Sequence, residues 1–224
     1  MSFLIKENNK KCIHTICLNN WQPELCAITI PNLMAYARKI GSDFNLISEA
    51  KFDGFPPNYE RFQIWEDGMD YEWNFNIDAD TILRHDCDDP TEYVPKNHVA
   101  SLYAIEIDNY FKTSNDPYFI RYGEKWGIAD QFTLSNILVH DFWTPSEMNF
   151  EETSKKCLKD PRQVSEYTLS RNMARFGLKH TGILKDHSKH YSIMFTTTKM
   201  TTEAAVKKMK NKLQQWKMII EPQQ

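Results

Sequence analysis

Residues 78–80 read Asp-Ala-Asp. Two carboxylates at i and i+2 point the same way where a strand frays into a loop. Such a pair suits a hard divalent cation, Mn²⁺ or Mg²⁺, which takes oxygen ligands and keeps open positions for phosphate oxygens. A cation held there neutralises the charge that builds on a departing diphosphate. The preceding segment, 71–77 (YEWNFNI), alternates aromatic and polar residues and is predicted to be a strand. The carboxylates then stand at its C-terminal end, where open α/β sheets place their ligands. A second pair, Asp86 and Asp88, lies in HDCDDP, an acidic turn closed by Pro90 with no strand leading into it. A D-x-D by itself also describes a solvated loop, so the rest of the chain has to decide.

The elements that must position residues 78–80 begin at the N-terminus. Residues 12–18 (CIHTICL) read as a short buried strand, and Asn19, Asn20 and Pro23 break it into a loop. Residues 25–40 have helical spacing, with apolar Ile28, Leu33, Ala35, Ala37 and Ile40 ahead of Gly41. Pro31 falls inside this stretch, and the helix proper is predicted to start near it. Residues 43–48 (DFNLIS) form a second strand, which gives the β-α-β rhythm of an α/β nucleotide-binding sheet. A turn-rich loop at 51–57 precedes a predicted helix at 59–68. Farther on, the spacing predicts helices at 129–139 and 164–176, a loop at 177–189 and a strand at 191–195. Asp130 would cap the first of these helices. Thr202 would cap a final helix at 203–220, whose stripe is Ala205, Met209, Leu213, Trp216 and Ile220 amid Lys207, Lys208, Lys210, Lys212 and Lys217. That helix either packs on the main domain or rests on anionic lipid as a peripheral membrane contact. The expected organisation is one domain over 1–200 with the amphipathic basic helix at 201–224.

Composition narrows the class. The chain has 224 residues with 41% hydrophobic and 25% charged, as in a globular protein. A net charge of −3 gives no overall basic field for nucleic acid. No apolar run approaches a membrane span, and residues 1–11 contain no signal-peptide core. Five cysteines form no C-x-x-C, which argues against structural zinc and, with no N-glycosylation sequon, favours a cytoplasmic setting.

Residues 71–83 (YEWNFNIDADTIL) resemble the strand-DxD-Thr core of the GT-A glycosyltransferases. Tyr59-Glu60-Arg61-Phe62 is similar to the helix that precedes that strand in those enzymes. Asp130-Gln131 with Asn136 resembles the Asp-Gln signature of the retaining, glycogenin-like and bacterial galactosyltransferase-like families. Residues 180–185 (HTGILK) resemble their late His-Gly-Lys motif. The order of the four segments agrees with the family, and together they span most of residues 10–195.

The resemblance implies an α/β GT-A (Rossmann-like) single domain with a mostly parallel central sheet. It implies transfer of a sugar from a nucleoside diphosphate sugar, UDP-sugar favoured, to a glycan or other hydroxyl acceptor, with retention and with Mn²⁺ (or Mg²⁺) as cofactor. By the same resemblance Asp80 ligates the metal, and Asp78 reaches the metal or the sugar-nucleotide. His180 is the third ligand, and Lys185 binds the diphosphate. Asp130 and Gln131 face the reacting sugar, Arg61 contacts nucleotide or phosphate, and Thr15 to Asn19 border the base and ribose. The late motif is one residue shorter than the family's, which leaves His187 and His190 as substitutes for His180. The family's Asn-x-Gly strand ahead of Asp-Gln is not visible.

Other classes remain on the table. A metal-dependent phosphohydrolase would use His85 and Asp86, but such sites need more histidines on an all-helical scaffold. A nucleotidyltransferase would need a Gly-rich phosphate loop, and the seven glycines do not cluster. A carbohydrate-binding module would use exposed aromatics without the Asp-Gln or His and Lys elements.

Overall fold

The computed structural model describes residues 3–5, 10–84, 86–102, 104–183, 191–192 and 200–216. His85, Lys185, His187 and His190 lie outside the described residues, as does the predicted helix beyond residue 216.

The chain begins with β1 (Phe3–Ile5), β2 (Lys11–Ile16), α1 (Pro23–Lys39) and β3 (Asp43–Ile47). A 3-10 helix at Pro57–Gln63 runs into α2 (Ile64–Asp67), and β4 (Trp73–Ile77) and β5 (Ile82–Leu83) follow. Then come β6 (His98–Ser101), β7 (Ala104–Glu106), α3 (Ile107–Tyr110), α4 (Pro117–Tyr122), β8 (Trp126–Ile128) and β9 (Phe132–Asn136). The chain continues through α5 (Phe150–Ser154), α6 (Val164–Phe176), β10 (Lys179–Gly182), β11 (Tyr191–Ser192) and α7 (Thr202–Gln215).

Among the described residues, seven strands make the central sheet in the order β1-β3-β2-β4-β9-β6-β10. β3, β2, β4, β6 and β10 share one direction, while β1 and β9 run against it. The mostly parallel α/β sheet expected from the sequence is therefore present. Its two faces are covered differently. On one, α1 packs Leu33, Tyr36 and Ala37 against Ile13, Phe75 and Leu134. On the other, α6 packs Tyr167, Leu169 and Met173 with Phe62, Val99 and Trp143. β4, at the centre, is buried on both faces.

Four sequence expectations are corrected. Helix α1 does not start near Pro31; it starts at Pro23, with Glu24 in its first turn and Arg38 and Lys39 in its last. Pro31 is tolerated inside because the carbonyl that loses its partner belongs to Ala27, on the exposed side. Residues 129–139 are not a helix capped by Asp130. They contain β9 and a 3-10 segment at Ile137–Trp143. Phe132 and Leu134 point to the α1 side, and Ser135 on the other face accepts a 2.7 Å hydrogen bond from Trp143 Nε1. That is an alternation of period two, carried by a strand buried on both faces. The loop expected at 177–189 contains instead β10, whose three polar residues and glycine pair in parallel with β6. The cap of the last helix is Thr201, whose Oγ1 accepts from the Ala204 amide at 3.3 Å, not Thr202.

Helix α7 lies on α1. Ala205, Met209 and Leu213 are buried against Leu25, Ile28 and Ile82, and Trp216 packs at the edge. No helix among the described residues is long and apolar enough to cross a membrane.

Candidate active site

The site is built where β4 ends. Asn74 on β4 donates to the Gly68 carbonyl at 2.9 Å and contacts His14 Nε2 at 3.1 Å. A side chain at Gly68 would place a Cβ 2.6 Å from Asn74 Oδ1, so the turn after α2 needs glycine to approach the strand. Beyond Ile77 the chain turns. The Asp78 amide donates to the Gln131 carbonyl at 2.9 Å, and the Thr81 amide to the Asp78 carbonyl at 3.0 Å. Thr29 of α1 donates its hydroxyl to the Ala79 carbonyl at 2.5 Å. The turn before β9, helix α1 and a bond within the segment thus hold residues 78–81.

The antiparallel register explains why Asp130 and Gln131 arrive at the same place. Ile77 pairs with Phe132, so the residues just before β9 lie beside those just after β4. Asn76 Nδ2 donates to the Asp130 carbonyl at 2.8 Å and locks this junction.

Arg61 ties the carboxylates together. It is almost fully buried, and its guanidinium reaches Asp78 Oδ1 at 3.3 Å and Asp130 Oδ2 at 3.0 Å. It also donates to the Asp130 carbonyl at 2.6 Å and, through Nε, to the Asn58 carbonyl at 2.7 Å. Burial opposes this cation, and Asp130 and then Asp78 more than offset that, so it stays charged. Expected from the sequence to contact nucleotide or phosphate, Arg61 lines the cleft and is ion-paired there with two carboxylates of the site.

Even so the site is carboxylate-rich. Burial lifts Asp78 well above the usual carboxylate range, against the pull of Arg61 and with the push of Asp130 and Asp80. Burial lifts Asp80 to about 6. Oδ1 of Asp80 is buried with no hydrogen-bond partner. A buried carboxylate oxygen without a partner costs about 1–3 kcal/mol unless something binds it. These side chains line a cleft of about 650 Å³, the size of a small-molecule site. Asn19, Trp21, Arg61, Asp78, Asp80 and Gln131 are among the lining residues, and Trp21 is 37% exposed at its wall.

Glu166, in the first turn of α6, also lines the cleft, and the sequence reading passed over it. Burial, then the nearby Asp130, raise its carboxyl to about 8. Ser165 Oγ bridges it to Asp130, donating to Asp130 Oδ2 and lying 3.2 Å from Glu166 Oε2. The signal that could have found it was weak: one acidic residue in a predicted helix, indistinguishable in sequence from a solvated one.

Two other expected residues lie apart. Thr15 is fully buried in β2, with its hydroxyl lacking a partner, and does not line the cleft; Ile16 and Asn19 do. His180 sits on β10, with Nε2 2.9 Å from Ser101 Oγ, and is not among the cleft-lining residues. Burial, then His98, hold its imidazole below the usual range, hence neutral. Among the described residues no three His, Cys, Asp or Glu side chains are grouped so as to hold a metal ion. Hard oxygen donors at Asp78 and Asp80, one of them partnerless, nevertheless fit a Mg²⁺ or Mn²⁺ that completes its shell with water and phosphate oxygens.

No family model matches the sequence, and no curated protein matches it. Solved structures do match the fold. A glycosyltransferase involved in glycosylating the major capsid of PBCV-1 aligns over 90% of this chain and 99% of its own, at 8% identity and a TM-score of 0.50. The galactosyltransferase LgtC, in complex with donor and acceptor sugar analogues, aligns over 76% and 73%, at 14% identity and a TM-score of 0.44. A Drosophila β-1,4-galactosyltransferase 7 mutant, in complex with manganese, UDP-Gal and xylobiose, aligns over 86% and 74%, at 12% identity and a TM-score of 0.40. The chain has a GT-A glycosyltransferase-like fold.

Proposed function

We propose that this protein transfers a sugar from a nucleoside diphosphate sugar, UDP-sugar favoured, to a hydroxyl acceptor such as a glycan, assisted by Mn²⁺ or Mg²⁺. The observation that carries the reading is the partnerless buried Oδ1 of Asp80 beside Asp78, in a cleft that also gathers Arg61, Asp130 and Gln131. When bound, the cation offsets the charge of the leaving diphosphate. Asp80 and Asp78 hold it. The late histidines are the candidates for a third ligand: His180, which stands on β10 outside the cleft lining, or His187 and His190; Lys185 binds the diphosphate. Asn19 and the end of β2 border the base and ribose. Asp130 and Gln131 orient the sugar hydroxyls and steady positive charge at the anomeric carbon. Arg61 keeps Asp78 and Asp130 in register rather than binding phosphate.

Resemblance favours retention, and Glu166 favours a second reading of the stereochemistry. Its carboxylate would accept the proton of the acceptor hydroxyl as that oxygen attacks the anomeric carbon and the bond to the diphosphate breaks. That displacement inverts the centre.

The test is a titration of UDP-sugars into the protein with and without Mn²⁺, by calorimetry and thermal shift. Binding at a hundred times Kd should stabilise by about 2.7 kcal/mol. That stabilisation should need the metal and vanish in Asp80→Asn. Equal binding without metal, or in Asp80→Asn, would remove the assignment.

A further inference from the structure

The loop that leads into the cleft is bracketed by two thiols in contact. Cys17 follows the last residue of β2, and Cys26 is in the first turns of α1; their sulfurs are 3.1 Å apart. Both are free cysteines, and both sulfurs lie near the Trp21 carbonyl oxygen, Cys17 at 3.7 Å and Cys26 at 3.1 Å. Between them lie Leu18, Asn19 and Trp21, all lining the cleft. The backbone there is unusual. Asn19, Asn20 and Gln22 have φ of 51°, 53° and 44°, the only positive-φ non-glycine residues among those described. Asparagine visits this region readily, but glutamine does so at a cost. Gln22 also begins α1 without a side-chain cap, and its Oε1 is buried without a partner. Backbone strain of this kind persists where the surroundings hold it in place and collects at switch regions.

We infer that Cys17 and Cys26 are a reversible oxidation site, forming a disulfide that clamps the 18–22 loop at the wall of the cleft, with a hydroperoxide as the oxidant. Cys17 is the nucleophile. It is partly exposed, and the Cys26 thiol hydrogen-bonded to it lowers it to about 7, while the same contact pushes Cys26 up. Its thiolate attacks the peroxide oxygen, the O–O bond breaks, and the leaving alkoxide takes a proton, giving a sulfenic acid and an alcohol. The Cys26 sulfur then attacks the Cys17 sulfur. The S–S bond forms, and the departing hydroxide leaves as water with the Cys26 proton. Two thiols are oxidised by two electrons in all, and one peroxide is reduced to alcohol and water. The other cysteines differ. Cys12, Cys87 and Cys157 are buried, and burial raises all three thiols, Cys87 and Cys157 to about 12. They should stay reduced.

That the clamp regulates donor binding rests on the proposed function; that it forms and stiffens the loop does not. The experiment treats the intact protein with hydrogen peroxide, then counts thiols after denaturation, maps cross-linked peptides by mass spectrometry, and follows hydrogen exchange over residues 18–22. The expected result is loss of two of the five thiols, one Cys17–Cys26 cross-link, slower exchange in the loop, and full reversal by dithiothreitol. Cys26→Ser should stop at a sulfenic acid on Cys17 that dimedone traps, and Cys17→Ser should keep its thiols. Five surviving thiols, a different cross-link, or a cross-link that leaves loop exchange unchanged would overturn the inference. Calorimetry with Mn²⁺ and UDP is read separately. If the reduced protein does not bind, the donor assignment fails while the thiol and exchange results still decide the clamp. If it binds and oxidation leaves the affinity unchanged, the regulatory part is wrong.

Discussion

Asp80 and Asp86 are both aspartates of a D-x-D, yet they sit in opposite surroundings. Asp80 is buried with an oxygen lacking a partner, whereas Asp86 is 45% exposed and pairs with Arg84. Asp80→Asn should therefore weaken metal-dependent donor binding by about a hundredfold or more, since losing outer-shell partners alone costs tenfold to a hundredfold. Asp86→Asn and Asp88→Asn should leave it unchanged. Calorimetry on the three variants checks this, and an essential 86/88 pair would move the site. Arg61→Ala should cost about 3–5 kcal/mol in urea unfolding, because it strands two carboxylates that Arg61 holds. Loss of donor affinity at unchanged stability would instead return Arg61 to the phosphate. Glu166 gives a pH signature. Its native pKa of about 8 lies above the ordinary 4.5, so the folded state keeps a proton that the unfolded state releases. The stability this confers is complete below about 4.5 and is lost as pH rises through about 8. Wild-type Tm should fall between about pH 4.5 and 8 by about 3 °C for each kcal/mol lost, and Glu166→Gln should flatten the fall. If Glu166 is the base, kcat/KM should rise through the same pH as it deprotonates, Glu166→Gln should abolish the rise, and anomeric NMR should show an inverted product. A retained product would leave Glu166 a bystander.

Among the elements, what could be read in the sequence depended on how each one buries its face. Segments 12–18, 43–48 and 71–77 carry strand signals that became β2, β3 and β4, and the carboxylates were placed by the last of these. β9 does not show as a strand in the sequence because its five residues are all buried, so no solvent face marks the period. β10 was missed because Lys179–Gly182 is a short polar strand held mainly by its pairing with β6. Thus Asp130 and Gln131, singled out by resemblance, stand in the turn before β9 rather than at the start of a helix. Glu166 joins the site because the first turn of α6 faces the cleft, which sequence spacing does not encode. Helix α7 makes its own prediction. Leu213 is 2% exposed against Leu25 and Ile28 of α1, so Leu213→Asp should cost about 3 kcal/mol or more in thermal or urea unfolding. Truncation after Thr201 should also lower Tm. A normal melt, with lost sedimentation on anionic liposomes, would mean that the lysine face rather than the apolar stripe is what the helix is for.

At the scale of the molecule, one sheet brings together residues far apart in the chain. β4 delivers Asp78 and Asp80, the turn before β9 delivers Asp130 and Gln131, the 3-10 helix delivers Arg61, and α6 delivers Glu166. The fold and the carboxylate cluster were legible from motif order, but the couplings between them were not, because a single sequence carries no record of register. What this cluster is proposed to do is metal-assisted transfer from a nucleotide-sugar. It is tested most directly by incubating the protein with a panel of nucleoside diphosphate sugars and measuring the nucleoside diphosphate released, with Mn²⁺ and with a chelator, for wild type and Asp80→Asn. Release is expected from at least one donor, UDP-sugars first, and should disappear with the chelator and in the variant. Release that survives both, or no release from any donor with Mn²⁺ and a hydroxyl acceptor present, would contradict it.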